Sequence, residues 1–188
     1  MSKIYVASSW RNDRQPAVVE ALRDAGHDVY DFRNPEPGDN GFHWSEIDPD
    51  WQSWSPERFR DCLEHPIAQD GFAKDMTALA SCEVCVLVQP CGISAHLELG
   101  WAVGAGKRTA VLLADGEPEL MYRMVDQMVL SIEEAVEVLS SDDPERKLWP
   151  ARRCNACDVC KSTFEHISTP HCSGCTIPSP SRFEHDAS

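Results

Sequence analysis

Long apolar runs are missing from this chain of 188 residues: no stretch of eighteen apolar side chains occurs, which argues against a membrane-spanning helix. Positive charge is scarce as well, because 17 Lys and Arg stand against 31 Asp and Glu, a formal net charge of −14. A polyanionic nucleic acid is therefore disfavoured as a partner unless a local basic patch exists, whereas a small anionic ligand needs only a few arginines. No internal repeat is evident.

The N-terminus lacks the shape of a secretory signal, since Met1-Ser2-Lys3 leads directly into a predicted strand. We therefore expect a cytoplasmic protein, in which the nine cysteines are mostly thiols or metal ligands rather than disulfides. The length corresponds to one domain of ordinary size, with a real core, plus an appendage.

Strand and helix patterns alternate along residues 1–140 and predict an α/β fold. The predicted strands are 3–7, 27–32, 83–89, 108–113 and 128–130, and the predicted helices are 14–25, 56–64, 66–81, 97–106, 117–126 and 131–139. This order indicates a flavodoxin- or Rossmann-like, doubly wound parallel sheet of about five strands with right-handed crossovers.

The segment from residue 83 to residue 107 is the most informative. A valine-rich strand is followed by the loop Pro90-Cys-Gly-Ile-Ser-Ala-His96 and by a small-residue helix predicted from Leu97. Glu98 then falls in the first turn of a helix at the carboxyl end of a strand, where open parallel sheets bind ligands and where the helix dipole favours an ionised carboxylate. Glu98 is a candidate nucleophile. The alternative interpretation is that an acidic residue at this position serves only to complement the helix dipole.

The same residues carry a family resemblance. Glu98-Leu-Gly-Trp-Ala102, followed by Gly106-Lys107 and a Val/Leu-rich strand, resembles the Glu-x-Gly-x-Ala…Gly-Lys signature of the nucleoside 2-deoxyribosyltransferase family, which includes the nucleoside 5′-monophosphate N-glycosidases. The segment 3–9 is similar to the family's first strand and loop, and Asp75 resembles its Asp in the segment leading into the third strand. The resemblance spans roughly residues 3–115.

This resemblance implies cleavage of the N-glycosidic bond of a (deoxy)nucleoside or its 5′-monophosphate, with water or a second base as acceptor and no catalytic cofactor. Such cleavage passes through an oxocarbenium-like sugar, which one carboxylate can trap while a second acid assists, as in retaining glycoside hydrolysis. Glu98 suits the trapping role, and Asp75 suits contact with a sugar hydroxyl or proton delivery. Tyr5 lies in the first strand, near where family members use a tyrosine to orient the nucleophile; the alternative is a core tyrosine with a satisfied hydroxyl.

A candidate phosphate site follows the first strand, where Ser8, Ser9, Arg11 and Arg14 are clustered. Backbone N–H groups and hydroxyls there can cradle a phosphate, and guanidinium groups add charge and bidentate geometry. Ser9 and Arg11 resemble the residues that hold the 5′-phosphate in the N-glycosidase branch. Simple helix capping is the alternative interpretation.

Four further positions are candidates for substrate contact. Ser94 could donate a hydrogen bond or act only as a helix cap, and His96 precedes Glu98 by two residues. Trp44 lies in a long irregular segment and could stack on a base, or pack on the sheet or at a dimer interface. Gly92 stands where deoxyribosyltransferases hold an acidic residue for base binding, which favours water over a second base as acceptor.

The C-terminal part of the chain is rich in cysteine. Two CxxC pairs, Cys157/Cys160 and Cys172/Cys175, are separated by eleven residues, and together they predict one structural zinc ion. Cys154 and His171 are alternative ligands. The predicted divisions are a catalytic-type domain over 1–140, a linker over 141–152, the Cys-rich zinc segment over 153–176 and a disordered Pro/Ser-rich tail over 177–188.

Three functions stay open at this level. The first is an N-glycosidase or deoxyribosyltransferase that acts on a small-molecule nucleoside or nucleotide. The second is a non-catalytic nucleotide-binding sensor with a zinc-mediated partner site, and the third is a glycohydrolase of NAD or another dinucleotide. In each case we expect a homodimer or a higher homo-oligomer.

Overall fold

The structure, a computed structural model, describes residues 1–116 and 118–141. The chain divides into two units, Met1–Trp149 and Pro150–Ser188, and every described residue belongs to the first. The predicted zinc segment over 153–176, the predicted tail over 177–188 and the linker beyond Ser141 lie outside the described residues.

The core of the described part is a five-stranded sheet in which every neighbouring pair of strands is parallel. The strands are β1 (Lys3–Ala7), β2 (Asp28–Asp31), β3 (Val84–Val88), β4 (Arg108–Leu112) and β5 (Gln127–Val129). Their order, β2-β1-β3-β4-β5, is the flavodoxin-like order of doubly wound sheets. The predicted α/β fold with about five parallel strands is confirmed.

The described residues form the α-helices α1 (Gln15–Asp24), α2 (Pro56–Cys62), α3 (Pro66–Ser81), α4 (Ile93–Gly104) and α5 (Ile132–Ser140). Helices α1 and α5 pack on one face of the sheet, and α3 and α4 pack on the other. On one face, Leu22 of α1 and Leu139 of α5 pack with the inward residues of the strands. On the other face, Leu79 of α3 and Leu99 of α4 do the same. The sheet is therefore buried on both sides, as the continuous apolar runs of β3 and β4 predict. Within the described residues, no helix combines the length and apolarity needed to cross a bilayer.

Two helix predictions need correction. Helix α4 begins at Ile93 rather than at residue 97, with Gly92 as its N-cap, because nothing between Ile93 and His96 breaks a helix once the turn at Pro90 is complete. Glu98 therefore lies in the second turn, beyond the range over which the helix dipole acts. The helix predicted over 117–126 is a single 3₁₀ segment, Leu120–Met124.

The irregular segment after β2 is folded back against β2 and α3 through two close approaches. Gly41 has φ +71°, and a Cβ there would collide with the carbonyl oxygen of Phe32. A Cβ on Gly71 of α3 would lie 2.8 Å from the Cβ of Phe42. Both positions require glycine, and together they bring Phe42 to the carboxyl end of β2 beside α3.

Candidate active site

The site lies at the carboxyl ends of β1 and β3, where the winding of the sheet reverses direction and open α/β sheets bind ligands. The loops that follow these strands are joined by hydrogen bonds. The Ser8 hydroxyl donates to the carbonyl oxygen of Val88 at 2.9 Å, and Asn12 Nδ2 donates to the same carbonyl at 3.0 Å. The loop carrying the predicted phosphate residues is thus fixed to the strand that leads into the Glu98 helix.

Glu98 is half-buried, with its carboxyl near Tyr5 of β1. Burial, and then the charge of Asp75, raise the pKa of Glu98 to about 7, whereas the Tyr5 hydroxyl lowers it. This direction is opposite to the one expected from the dipole of a first-turn position, because Glu98 sits deeper in the helix and loses water. Tyr5 is 0% exposed, and its Oη makes no hydrogen bond of normal geometry within the described part of the chain.

The second carboxyl, Asp75, projects from α3 and is also half-buried. Tyr30 of β2 donates a hydrogen bond from Oη to Asp75 Oδ1 at 2.9 Å. Burial is the largest influence and raises the pKa of Asp75; the Tyr30 hydrogen bond lowers it, the charge of Asp39 raises it and the charge of Lys74 lowers it.

The two carboxyls act on each other, because the charge of Asp75 raises the pKa of Glu98. Burial raises the pKa of Asp75, and the hydrogen bond from Tyr30 opposes that rise by favouring the anion. Because the pKa of Glu98 is about 7 and that of Asp75 is raised as well, the pair holds a proton for part of the time near neutral pH. A site of this kind can supply one carboxylate and one carboxylic acid to the same substrate.

The predicted phosphate residues differ in how far they are free to bind a ligand. The Ser8 hydroxyl already donates to the carbonyl oxygen of Val88, and Arg14 Nη1 donates to the carbonyl oxygen of Leu113 at 3.1 Å. The backbone N–H of Arg11 donates to Ser9 Oγ at 3.2 Å, while the Arg11 side chain is exposed. Arg11 is therefore the guanidinium of this loop best placed to meet an anion from solvent.

Arg33, which the sequence analysis did not single out, is hydrogen-bonded to the backbone of the loop after β1. Its Nη2 donates to the carbonyl oxygens of Ser9 at 2.7 Å and Asn12 at 2.9 Å. The guanidinium also lies 5.7 Å from the ring centre of Trp10. Arg33 thus adds positive charge to the loop and fixes its backbone. No spacing in the sequence predicts this contact, because it joins the ends of two different strands.

Trp44 packs among aromatic residues of its own segment and of α2. Its ring meets those of Phe42, Trp54 and Phe59 edge-on, with centroids 4.8, 5.6 and 5.6 Å apart. Phe42 of this cluster lies beside Asp75, because it lines a small cavity of about 70 Å³ that is also lined by Tyr30 and Asp75.

Gly92, Ser94 and His96 lie at the start of α4. Gly92 and His96 line a second cavity of about 520 Å³ between α4 and the 3₁₀ segment. His96 Nε2 lies 2.9 Å from Tyr122 Oη, and its Nδ1 lies 2.9 Å from the Gly92 carbonyl oxygen. Ser94 is exposed in the first turn, and a side chain at position 92 would meet no atom within 4 Å. His96 Nδ1 also lies 3.7 Å from Cys91 Sγ, and burial and then the charge of Glu98 raise the pKa of Cys91, so this end of α4 adjoins Glu98.

Among residues 1–116 and 118–141, no group of three or more His, Cys, Asp or Glu side chains could hold a metal ion. The predicted zinc ligands all lie outside the described residues, so the zinc site stays a prediction. These ligands are Cys157, Cys160, Cys172 and Cys175, with Cys154 and His171 as the alternatives.

We expect purified protein to contain about one zinc ion per chain, because two CxxC pairs supply four thiolates for a tetrahedral site. The double variant Cys157→Ser/Cys172→Ser should lose this zinc, whereas Cys91→Ser, in the loop before α4, should keep it. Elemental analysis with thiol titration measures both. Zinc-free wild-type protein with four freely reacting thiols in this segment would show that the prediction is wrong.

Comparison with known proteins gives structural neighbours. No family model matches the chain, and no curated protein matches it. One similar solved structure is a 2-deoxyribosyltransferase from Bacillus psychrosaccharolyticus, with 20% identity over 72% of this chain and 90% of that chain and a TM-score of 0.49. Another is the CMP N-glycosidase BcmB of Clostridium botulinum, with 16% identity over 73% of this chain and 98% of that chain and a TM-score of 0.41.

Both names fall within the family that the Glu98 motif resembles. At such identities and TM-scores, the function of this chain has to be inferred from its own side chains.

Proposed function

We propose that this chain cleaves the N-glycosidic bond of a (deoxy)nucleoside or its 5′-monophosphate, with Glu98 as the nucleophile. The observation that supports this most directly is the pair of half-buried carboxyls, Glu98 and Asp75, with a tyrosine hydroxyl next to each at the carboxyl edge of the sheet. Two carboxyls in different environments are what a double displacement at an anomeric carbon requires.

In the first step, a carboxylate oxygen of Glu98 bonds to the anomeric carbon while the C–N bond breaks and its electron pair leaves with the base. Asp75 either delivers the proton that the departing base needs or accepts a hydrogen bond from a sugar hydroxyl. In the second step, the oxygen of a water molecule bonds to the anomeric carbon while the C–O bond to Glu98 breaks, which restores the carboxylate. The proton that water loses passes to Asp75 if Asp75 has protonated the base, and otherwise to solvent. The Tyr5 hydroxyl near Glu98 orients the carboxyl in both steps.

Water is the proposed acceptor because Gly92 offers no acidic side chain to hold a second base. The proposed substrate is a 5′-monophosphate because the loop after β1 presents the exposed guanidinium of Arg11, and Arg33 holds the backbone of the same loop in place. A small dianion can be bound at this local positive site although the chain as a whole is acidic.

We expect Arg11→Ala to raise KM for a nucleoside 5′-monophosphate by about ten- to hundredfold with little change in kcat, since it removes a charge-assisted contact that the ground and transition states share. The same variant should leave the kinetics on an unphosphorylated nucleoside unchanged. Arg60→Ala, on the exposed α2, is the matched control. Equal effects of Arg11→Ala on both substrates would remove the phosphate from the proposal.

The function itself is tested by base release from a panel of nucleosides, their 5′-monophosphates and NAD, with and without an added acceptor base. Release from a monophosphate without acceptor is the expected result. Efficient base exchange on unphosphorylated nucleosides would identify a transferase instead, and preferred turnover of NAD would identify a dinucleotide glycohydrolase. Tight binding of a panel member without turnover would favour the sensor.

A further inference from the structure

Tyr5 and Tyr30 form a ring pair across β1 and β2. The two residues are opposite each other in the parallel register, so their side chains leave the same face of the sheet. Their rings stack with centroids 5.3 Å apart and an interplanar angle of 17°. Each hydroxyl approaches a different carboxyl: Tyr30 donates to Asp75, and Tyr5 lies near Glu98.

We propose that Tyr30 is a positioning residue for the reaction, because its hydroxyl fixes Oδ1 of Asp75 and leaves Oδ2 to face the substrate. The proposal rests on the proposed function of the Glu98–Asp75 pair and adds a residue to it. Tyr30 itself acts through Asp75 and takes no part in bond formation.

The phenol can serve only as a hydrogen-bond donor to Asp75 over the working pH range. Burial and the nearby Asp75 carboxyl raise the pKa of Tyr30 far above neutral, so the hydroxyl keeps its proton. A donor that never loses its proton favours the ionised form of its acceptor. Tyr30 therefore opposes the rise that burial causes in the pKa of Asp75, and it fixes the carboxylate oxygen that accepts its hydrogen bond.

The charged groups around Asp75 do not take over the positioning role of Tyr30. Lys74 and Asp39 act on Asp75 with opposite sign, and Lys74 Nζ is itself paired with Asp39 at 3.0 Å and with Asp70 at 2.9 Å. From α4, Glu98 faces the pair as a second carboxyl. Tyr30 is the one group whose hydrogen bond to Asp75 is of normal length among the described residues.

Tyr30→Phe tests the proposal, because it removes the hydroxyl and keeps the stacked ring. The carboxyl resonance of Asp75, followed by ¹³C NMR in aspartate-labelled protein, should titrate at higher pH in the variant than in the wild type. The limb of the kcat/KM profile that belongs to Asp75 should move in the same direction, and kcat/KM for base release should fall by about tenfold or more, as expected for loss of a hydrogen bond to a charged group.

Two further variants serve as comparisons. Tyr5→Phe should shift the limb of the kcat/KM profile that belongs to Glu98 and leave the titration of the Asp75 resonance nearly unchanged. Tyr122→Phe removes a hydroxyl that bonds Gln89 and His96 on the other side of α4, and it should move neither titration.

An unchanged Asp75 titration in a folded Tyr30→Phe protein would overturn the proposal, and so would a moved titration with an unchanged kcat/KM profile. Failure of the proposed function can be told apart from failure of this proposal, because the NMR titration needs no turnover. If the wild type catalysed no base release, the effect of Tyr30 on the titration of Asp75 would still be measurable, and only its role in catalysis would be refuted.

Discussion

Replacing Glu98 by glutamine is expected to abolish base release and, at the same time, to stabilise the fold above neutral pH. The amide keeps the volume of the side chain but cannot bond to the anomeric carbon, so the rate should fall by at least about a thousandfold, to the background left by binding and electrostatics. Base release measured under single-turnover conditions gives the size of the loss.

The stability effect follows from the direction of the pKa shift. The pKa of Glu98 rises from its ordinary 4.5 to about 7 in the folded chain, because the carboxylate is buried near Asp75. A raised pKa stabilises the fold below the ordinary value, and this contribution is lost as the pH rises through about 7. At pH 8 the wild type therefore bears the cost of a buried carboxylate, at most about 3 kcal/mol from the size of the shift.

Denaturant unfolding at pH 5 and pH 8 measures this contribution. Glu98→Gln should raise the free energy of unfolding at pH 8 by about 1–3 kcal/mol, and the gain should shrink at pH 5, where the wild-type carboxyl is protonated. Glu20→Gln, at an exposed position of α1, is the matched control and should change neither activity nor stability. An active Glu98→Gln enzyme would refute the nucleophile, and a variant less stable at pH 8 would show that the carboxylate is not buried at a cost.

Asp75→Asn is expected to lower kcat/KM by about a hundred- to thousandfold if Asp75 delivers a proton to the departing base. The loss should then be far smaller with a 7-methylguanine nucleotide, because its cationic base leaves as a neutral molecule without being protonated. A loss of equal size on both substrates would assign Asp75 to the sugar hydroxyl instead. Asp24→Asn on α1 controls for a change of surface charge.

The same variant changes the titration of Glu98. Removing the Asp75 charge should lower the pKa of Glu98, since that charge is the second cause that raises it. The limb of the kcat/KM profile that lies near pH 7 in the wild type should move to lower pH in Asp75→Asn. A limb that stays near pH 7 would mean that burial alone sets the pKa of Glu98.

Much of the fold could be predicted from the sequence, because the relevant signals are local. The apolar runs of β3 and β4 are typical of strands buried on both faces, and their alternation with helix patterns indicates a parallel sheet. Glu98, Asp75 and Tyr5, the three residues proposed for the chemistry, were candidates from the sequence and its family resemblance, and in the structure the charges of Glu98 and Asp75 both act on Tyr5.

What the sequence alone determined is therefore the order of the elements, and it named candidates for the chemistry. Only the tertiary structure decided how those groups act on each other. The stacking of Tyr5 on Tyr30 depends on the register of their strands. The hydrogen bond from Arg33 to the Ser9 carbonyl joins the ends of two strands that are far apart in the chain. The raised pKa of Glu98 has the same origin, because removal of a carboxylate from water and its approach to a second charge exist only once α3 and α4 have packed on the sheet.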